Sequence, residues 1–188
     1  MKKTSVIWLV VVLLGFGSAA MADNEWGVFG SYWAPSDGDD GVGGGVKIGV
    51  EMVDRVQLDL RYSVVNNVIN DNGASLDVQP LEFGLSFSVP TGGGIEPYFG
   101  VGLGYYFMDG DVAGFDANVD DEWGFYTSAG IEWILSRSGA LYGETTTKLF
   151  VEAMYRIVDA NDMKLSGGRL EDAELNGLGL QAGLLIGW

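Results

Sequence analysis

Leu175-Asn176-Gly177-Leu178-Gly179-Leu180-Gln181-Ala182-Gly183-Leu184-Leu185-Ile186-Gly187-Trp188, the last stretch of the sequence, has a period of two. In an extended strand Leu178, Leu180, Ala182, Leu184, Ile186 and Trp188 fall on one side, and Gly177, Gly179, Gln181, Gly183 and Gly187 on the other. Leu185 is the single apolar residue on the second side. A broad apolar face backed by glycine and amide suits a sheet whose outside meets lipid and whose inside does not.

The same alternation recurs toward the N-terminus. Leu149, Val151, Ala153, Tyr155 and Ile157 oppose Phe150, Glu152, Met154 and Arg156, and Trp123, Phe125, Ala129, Ile131 and Trp133 oppose Gly124, Tyr126, Ser128, Gly130 and Glu132. Phe99, Val101, Leu103, Tyr105 and Phe107 stand against Tyr98, Gly100, Gly102, Gly104 and Tyr106. Leu81, Phe83, Leu85 and Phe87 alternate with Glu82, Gly84, Ser86 and Ser88; Val56 to Val64 with Gln57 to Ser63; and Val46 to Met52 with Gly45 to Glu51. The first segment, Trp26 to Ala34, has two possible phases, of which the one with Trp26, Val28 and Tyr32 outward is preferred over Phe29 and Trp33.

Eight such segments of roughly 9 to 11 residues, the length a tilted strand needs to cross a bilayer, predict an all-β fold: an eight-stranded antiparallel up-and-down transmembrane β-barrel. The connections are read as loops at Asn66 to Ser75, Met108 to Asp121 and Val158 to Glu174, with a longer connection at Ser136 to Thr147. If odd strands run outward from the periplasm, Trp26, Trp133 and Trp188 form one aromatic rim, and Tyr32, Tyr62, Tyr105, Phe107, Trp123 and Tyr155 the other.

Residues 1–22 read as a secretory signal peptide and 23–188 as one barrel domain. Met1-Lys2-Lys3 is a basic head, the apolar run from Val6 to Phe16 is too short to span, and Ala20-Met21-Ala22 is a small-residue cleavage site. No later run is long and apolar enough for a membrane helix. With 26 acidic against 10 basic residues the chain is strongly anionic, which disfavours nucleic acid as a partner. The sequence has no cysteine, so the backbone ladder must hold the fold without disulfides. It also has no histidine, which removes Ser-His-Asp and Cys-His catalysis and ordinary zinc sites. A non-enzyme without cofactor is expected.

The signal peptide, the eight segments, Pro97-Tyr98-Phe99-Gly100-Val101-Gly102-Leu103-Gly104 and the aromatic ending together resemble the small outer-membrane β-barrel superfamily, which includes the OmpA membrane domain, OmpX, OmpW and opacity-type proteins. The ending also resembles the terminal sorting signal of such proteins, on Gln181, Gly183, Ile186 and Trp188. That resemblance implies outer-membrane lipid and lipopolysaccharide as surroundings, the barrel-assembly machinery as a partner of the last strand, and a monomer. It implies a structural or surface-contact role, with a narrow OmpW-like channel or an adhesin acting through acidic loops as alternatives. No peptidoglycan-binding domain is expected, so wall anchoring is not implied.

Two sets of residues carry what chemistry the sequence offers. Inward positions place Lys47, Arg61 and Arg156 among Glu51, Asp59, Glu82, Glu132 and Glu152, together with Tyr98, Tyr106, Tyr126, Phe150 and Met154. In a barrel just wide enough for side chains to fill, these predict a paired network that plugs the centre, while the inward glycines leave room for a cavity toward one end. Asp37, Asp39, Asp40, Asp109 and Asp111 are weak candidates for surface divalent-cation ligands; a solvated acidic loop layer is the preferred reading, because the spacing lacks the distal glutamate of an EF-hand loop.

Overall fold

A computed structural model of the chain describes residues 24–36, 39–71, 74–112, 115–117, 120–140, 143–160, 164–165, 168–169 and 173–188. The expected signal peptide, residues 1–22, lies outside the described residues.

Eight long strands carry the fold: β1 Asn24–Pro35, β2 Gly41–Val53, β3 Val56–Asp71, β4 Ala74–Ser88, β5 Ile95–Val112, β6 Glu122–Ala140, β7 Gly143–Ala160 and β8 Gly177–Gly187. Each pairs antiparallel with its neighbours in sequence. β1 then pairs with β8 from Glu25↔Gly187 to Pro35↔Gly177, so the sheet closes on itself. The Asn24 N–H donates to the Trp188 carbonyl at 3.3 Å and the Trp188 N–H to the Asn24 carbonyl at 3.0 Å, which seals the last rung. Around the closed ring each strand is paired on both sides, the condition for a sheet to stand in hydrocarbon.

The phase of every strand follows its residues. On β1, Trp26, Val28 and Tyr32 face out while Phe29 and Trp33 are buried inside. The outer surface between the rims is apolar, with Phe83, Leu85, Phe99, Val101, Ile131, Val151, Leu180 and Leu184 all exposed. Trp26, Trp133 and Trp188 ring the end that holds Asn24 and Trp188, called here the terminal end. At the opposite, loop end Tyr105 packs edge-on against both Phe107 and Trp123, with centroids 4.9 and 5.1 Å apart, and Tyr155 stands exposed on β7.

The strands run further than the sequence pattern indicated, from 11 residues in β8 to 19 in β6. The stretch 66–75, read as a loop, continues β3 to Asp71 and starts β4 at Ala74. The acidic stretch 108–121 continues β5 to Val112, and Phe115–Ala117 folds back on it. Ser136 to Thr147, read as a long connection, is a hairpin of β6 and β7 paired rung by rung from Ser136↔Thr147 to Ala140↔Gly143. Past Val158, β7 continues to Ala160 and Ala173–Glu174 pairs with its end. The cause is common to all four: alternation of apolar and polar residues marks only the part of a strand with lipid on one side. Above and below the membrane both faces meet water, so the pattern stops while the backbone ladder goes on.

Tight turns at the terminal end use local chemistry. Arg55 takes a φ of 72° between β2 and β3, and Gly92 a φ of 73° between β4 and β5, where open space surrounds it.

Candidate functional site

The lumen is where the sheet gathers its charged residues. Strands turn Lys47, Asp59, Arg61, Glu82, Glu132, Glu152 and Arg156 inward, and each is at least nine-tenths buried. Arg61 on β3 reaches across to Glu152 on β7 with both terminal nitrogens, Nη2 donating to Oε2 at 3.0 Å and Nη1 to Oε1. Its Nη2 also lies 3.5 Å from Asp59, which stands 3.5 Å from the Lys47 ammonium. Arg156 on β7 donates from Nε to Glu82 Oε1 on β4 at 2.8 Å, and the Tyr106 hydroxyl donates to the same oxygen at 3.1 Å. Such pairs offset part of the several kcal/mol that each buried ion costs, provided the remaining donors and acceptors are also satisfied.

Aromatic rings complete the packing. Arg156 stacks over Trp33 at 4.9 Å, Arg61 over Tyr126 at 5.3 Å, and Lys47 over Tyr98 at 5.1 Å and Phe150 at 5.5 Å. The inward glycines are what let these rings lie flat. A methyl group on Gly130 would meet the Tyr98 ring at 2.6 Å, one on Gly102 the Tyr126 ring at 2.6 Å, and one on Gly104 the Tyr106 ring at 2.7 Å. Bare glycine faces are thus the seats of tyrosine rings, Tyr98 and Tyr126 from the neighbouring strand and Tyr106 from the same one.

Two expectations about this network change. Glu51 lies at its edge: it holds the last regular rung of β2, opposite Gln57, lines the terminal-end cavity, and its Oε1 accepts the Arg55 backbone N–H at 3.2 Å. Lys148 and Glu25, absent from the expected set, form its terminal-end layer. The Lys148 ammonium donates to Glu25 at 3.0 Å and to Glu132 at 2.8 Å. Their phase was readable, since Lys148 is two residues before inward Phe150 and Glu25 four before inward Phe29.

Two adjoining cavities of about 230 and 310 Å³ open at the terminal end, sharing Glu25, Glu96 and Lys148 in their walls. Toward the loop end the interior becomes apolar, with Trp33, Val65, Leu76, Val78, Tyr106, Met108, Val158 and Leu175 in one buried cluster.

Of the weak cation candidates, Asp37 lies outside the described residues. Asp39 and Asp40 are exposed, and Asp40 accepts the Tyr32 hydroxyl at 2.5 Å. Asp109 and Asp111 lie on β5, not in a loop, with Asp77 and Ser75 as their cross-strand neighbours. Among the described residues no group of three acids is arranged to hold a metal ion. In the terminal strand Gln181 points inward, its Nε2 3.3 Å from the Met154 sulfur, Gly183 lies against Phe29 and Phe150, and Ile186 and Trp188 face out.

A closed eight-stranded sheet with an apolar outside, aromatic rims and a charged, filled inside defines an integral membrane barrel. The chain belongs to the outer-membrane β-barrel family: the family model described as outer membrane protein beta-barrel domain matches residues 8–184. No curated protein matches the chain in sequence. Among solved structures it is similar to Neisserial surface protein A, at 13% identity and a TM-score of 0.65, covering 87% of this chain and 95% of that one. It is also similar to OprG of Pseudomonas aeruginosa, at 14% identity and a TM-score of 0.63, covering 89% and 96%. The N-terminal barrel of OprF from the same organism follows at 16% identity and a TM-score of 0.54, covering 89% and 98%. At these identities the likeness is one of fold.

Proposed function

We propose that this protein is a closed, non-conducting barrel of the outer membrane, a non-enzymatic envelope component that presents an acidic surface beyond the lipid. The observation that carries the reading is the filled lumen, where Arg61–Glu152 and Arg156–Glu82 cross the interior and tyrosines occupy the bare faces of the glycines. Toward the loop end the apolar cluster of Trp33, Val65, Leu76, Val78, Tyr106, Met108, Val158 and Leu175 continues the filling. The absence of histidine and cysteine supports a role without catalysis. In this reading the apolar belt contacts lipid and lipopolysaccharide, the chain works as a monomer, and β8 with its outward Ile186 and Trp188 is the segment read by the assembly machinery.

Recording from planar bilayers tests the proposal. The purified protein should give rare, brief openings. A steady channel of one size in the unmodified protein overturns the closed reading.

A further inference from the structure

Two apolar clusters lie inside the barrel, and they differ in how much of the circumference they cover. Phe29, Phe150 and Leu185 come from three adjacent strands, β1, β8 and β7. Beside them the ammonium of Lys47 occupies the interior, so this layer is apolar on one side only. The loop-end cluster draws on β1 through Trp33, β3 through Val65, β4 through Leu76 and Val78, β5 through Tyr106 and Met108, and β7 through Val158, with Leu175 standing just before β8.

The two remaining walls, β2 and β6, contribute glycine at this level, and each glycine is paired with a member of the cluster on the next strand, Gly43 with Val65 and Gly124 with Val158. A methyl group on Gly43 would meet the Val65 backbone at 2.9 Å, and one on Gly124 would meet Val158 at 2.8 Å and the Tyr106 ring at 2.9 Å. Five of the eight strands and Leu175 beside β8 thus supply the side chains of the ring, and glycine backbone supplies the rest. The ring is two inward residues deep on β4 and on β5, which is about 7 Å along a strand. Every member is at most 6% exposed.

Beneath it the interior has the opposite character. Arg61 Nε, Asp59 Oδ1, Lys47 Nζ, Ser128 Oγ and Gln181 Oε1 are buried and make no hydrogen bond within the protein. Buried polar atoms of this kind bind internal water, whereas a tight space lined mainly by valine, leucine and methionine, where Trp33 Nε1 is the one such atom among the ring residues, stays dry. An ion network with spare donors and acceptors can hydrate and re-pair; a dry apolar ring bars ions through the cost of stripping their water.

Resting on the closed reading, we infer that the barrier to conduction is the apolar ring at the loop end, and that the ion network below it is a wettable layer that does not seal. The barrel is a half-channel, hydrated from the terminal-end cavities and stopped at Val65, Val78, Met108 and Val158.

Bilayer recordings of two double variants beside the unmodified protein decide this, with insertion checked by the heat-dependent gel shift of a folded barrel. V65S/V78S, which wets the ring, should raise open time roughly tenfold or more. R61Q/E152Q, which removes two network charges and keeps the ring, should remain as silent as the parent. Silence of V65S/V78S in folded protein, or opening by R61Q/E152Q, overturns the inference while leaving a silent parent closed. A parent that conducts steadily sinks the closed reading instead. If V65S/V78S fails to insert, V78T adds a hydroxyl at nearly unchanged volume, and its silence counts equally against the ring.

Discussion

Arg61 shows how much a single side chain holds in this interior. It is 1% exposed, binds Glu152 with two nitrogens and neighbours Asp59, so its removal leaves Glu152 buried without its paired charge. Arg61→Ala is expected to cost about 3–5 kcal/mol, the usual penalty for breaking a buried pair from one side. Replacing both partners, as in R61M/E152M, should restore most of that loss because no ion is stranded. Denaturant unfolding in detergent micelles checks both; a double variant as unstable as the single one would show that the loss is not one of unpaired charge. Most of these residues were legible from inward phase alone. Glu25 and Lys148 were legible too, but each sits where the apolar alternation is just starting, so the pattern that identifies a strand had not yet declared itself. Glu51 keeps its inward phase but stands on the last regular rung before a bulge, where it binds the Arg55 backbone, and phase alone carries no mark of that.

Among the elements, the β6–β7 hairpin departs most from the sequence reading. Its rungs Ser138↔Thr145, Gly139↔Glu144 and Ala140↔Gly143 pair only with each other, beyond the last contact of β8 at Gly187↔Thr146 and of β5 at Ile95↔Trp133. A two-stranded ribbon of this kind adds little stability by itself. Exchanging Ser138–Thr145 for a two-residue Asn-Gly turn should therefore leave insertion intact and shift the unfolding free energy by about 1 kcal/mol or less. Failure of the shortened protein to insert would assign the hairpin a part in assembly. The alternation of the sequence located every membrane crossing but not the strand ends, because hydrophobic pattern reports the solvent on each face and hydrogen bonding does not.

For the whole molecule, closure and the lipid-facing belt set the behaviour. The protein should fractionate with the outer membrane and migrate differently on a gel before and after boiling, since a sheet without edges resists detergent. Ile186→Asp places a charge on the outward face of β8 and should lower the amount of heat-shifting protein, at a cost of up to a few kcal/mol depending on depth. Unchanged levels of that variant would contradict the lipid exposure of this face. The pair between Arg61 and Glu152 has a further consequence at this scale. β3 and β7 lie on opposite sides of an eight-strand ring, so the bond is a strut across the full diameter. A thin-walled tube squeezed by lateral pressure goes oval before its wall tears, and going oval lengthens one diameter as it shortens the other. A tie fixed across the bore opposes that change of shape, so the cross-section stays round while the surrounding lipid is compressed or stretched.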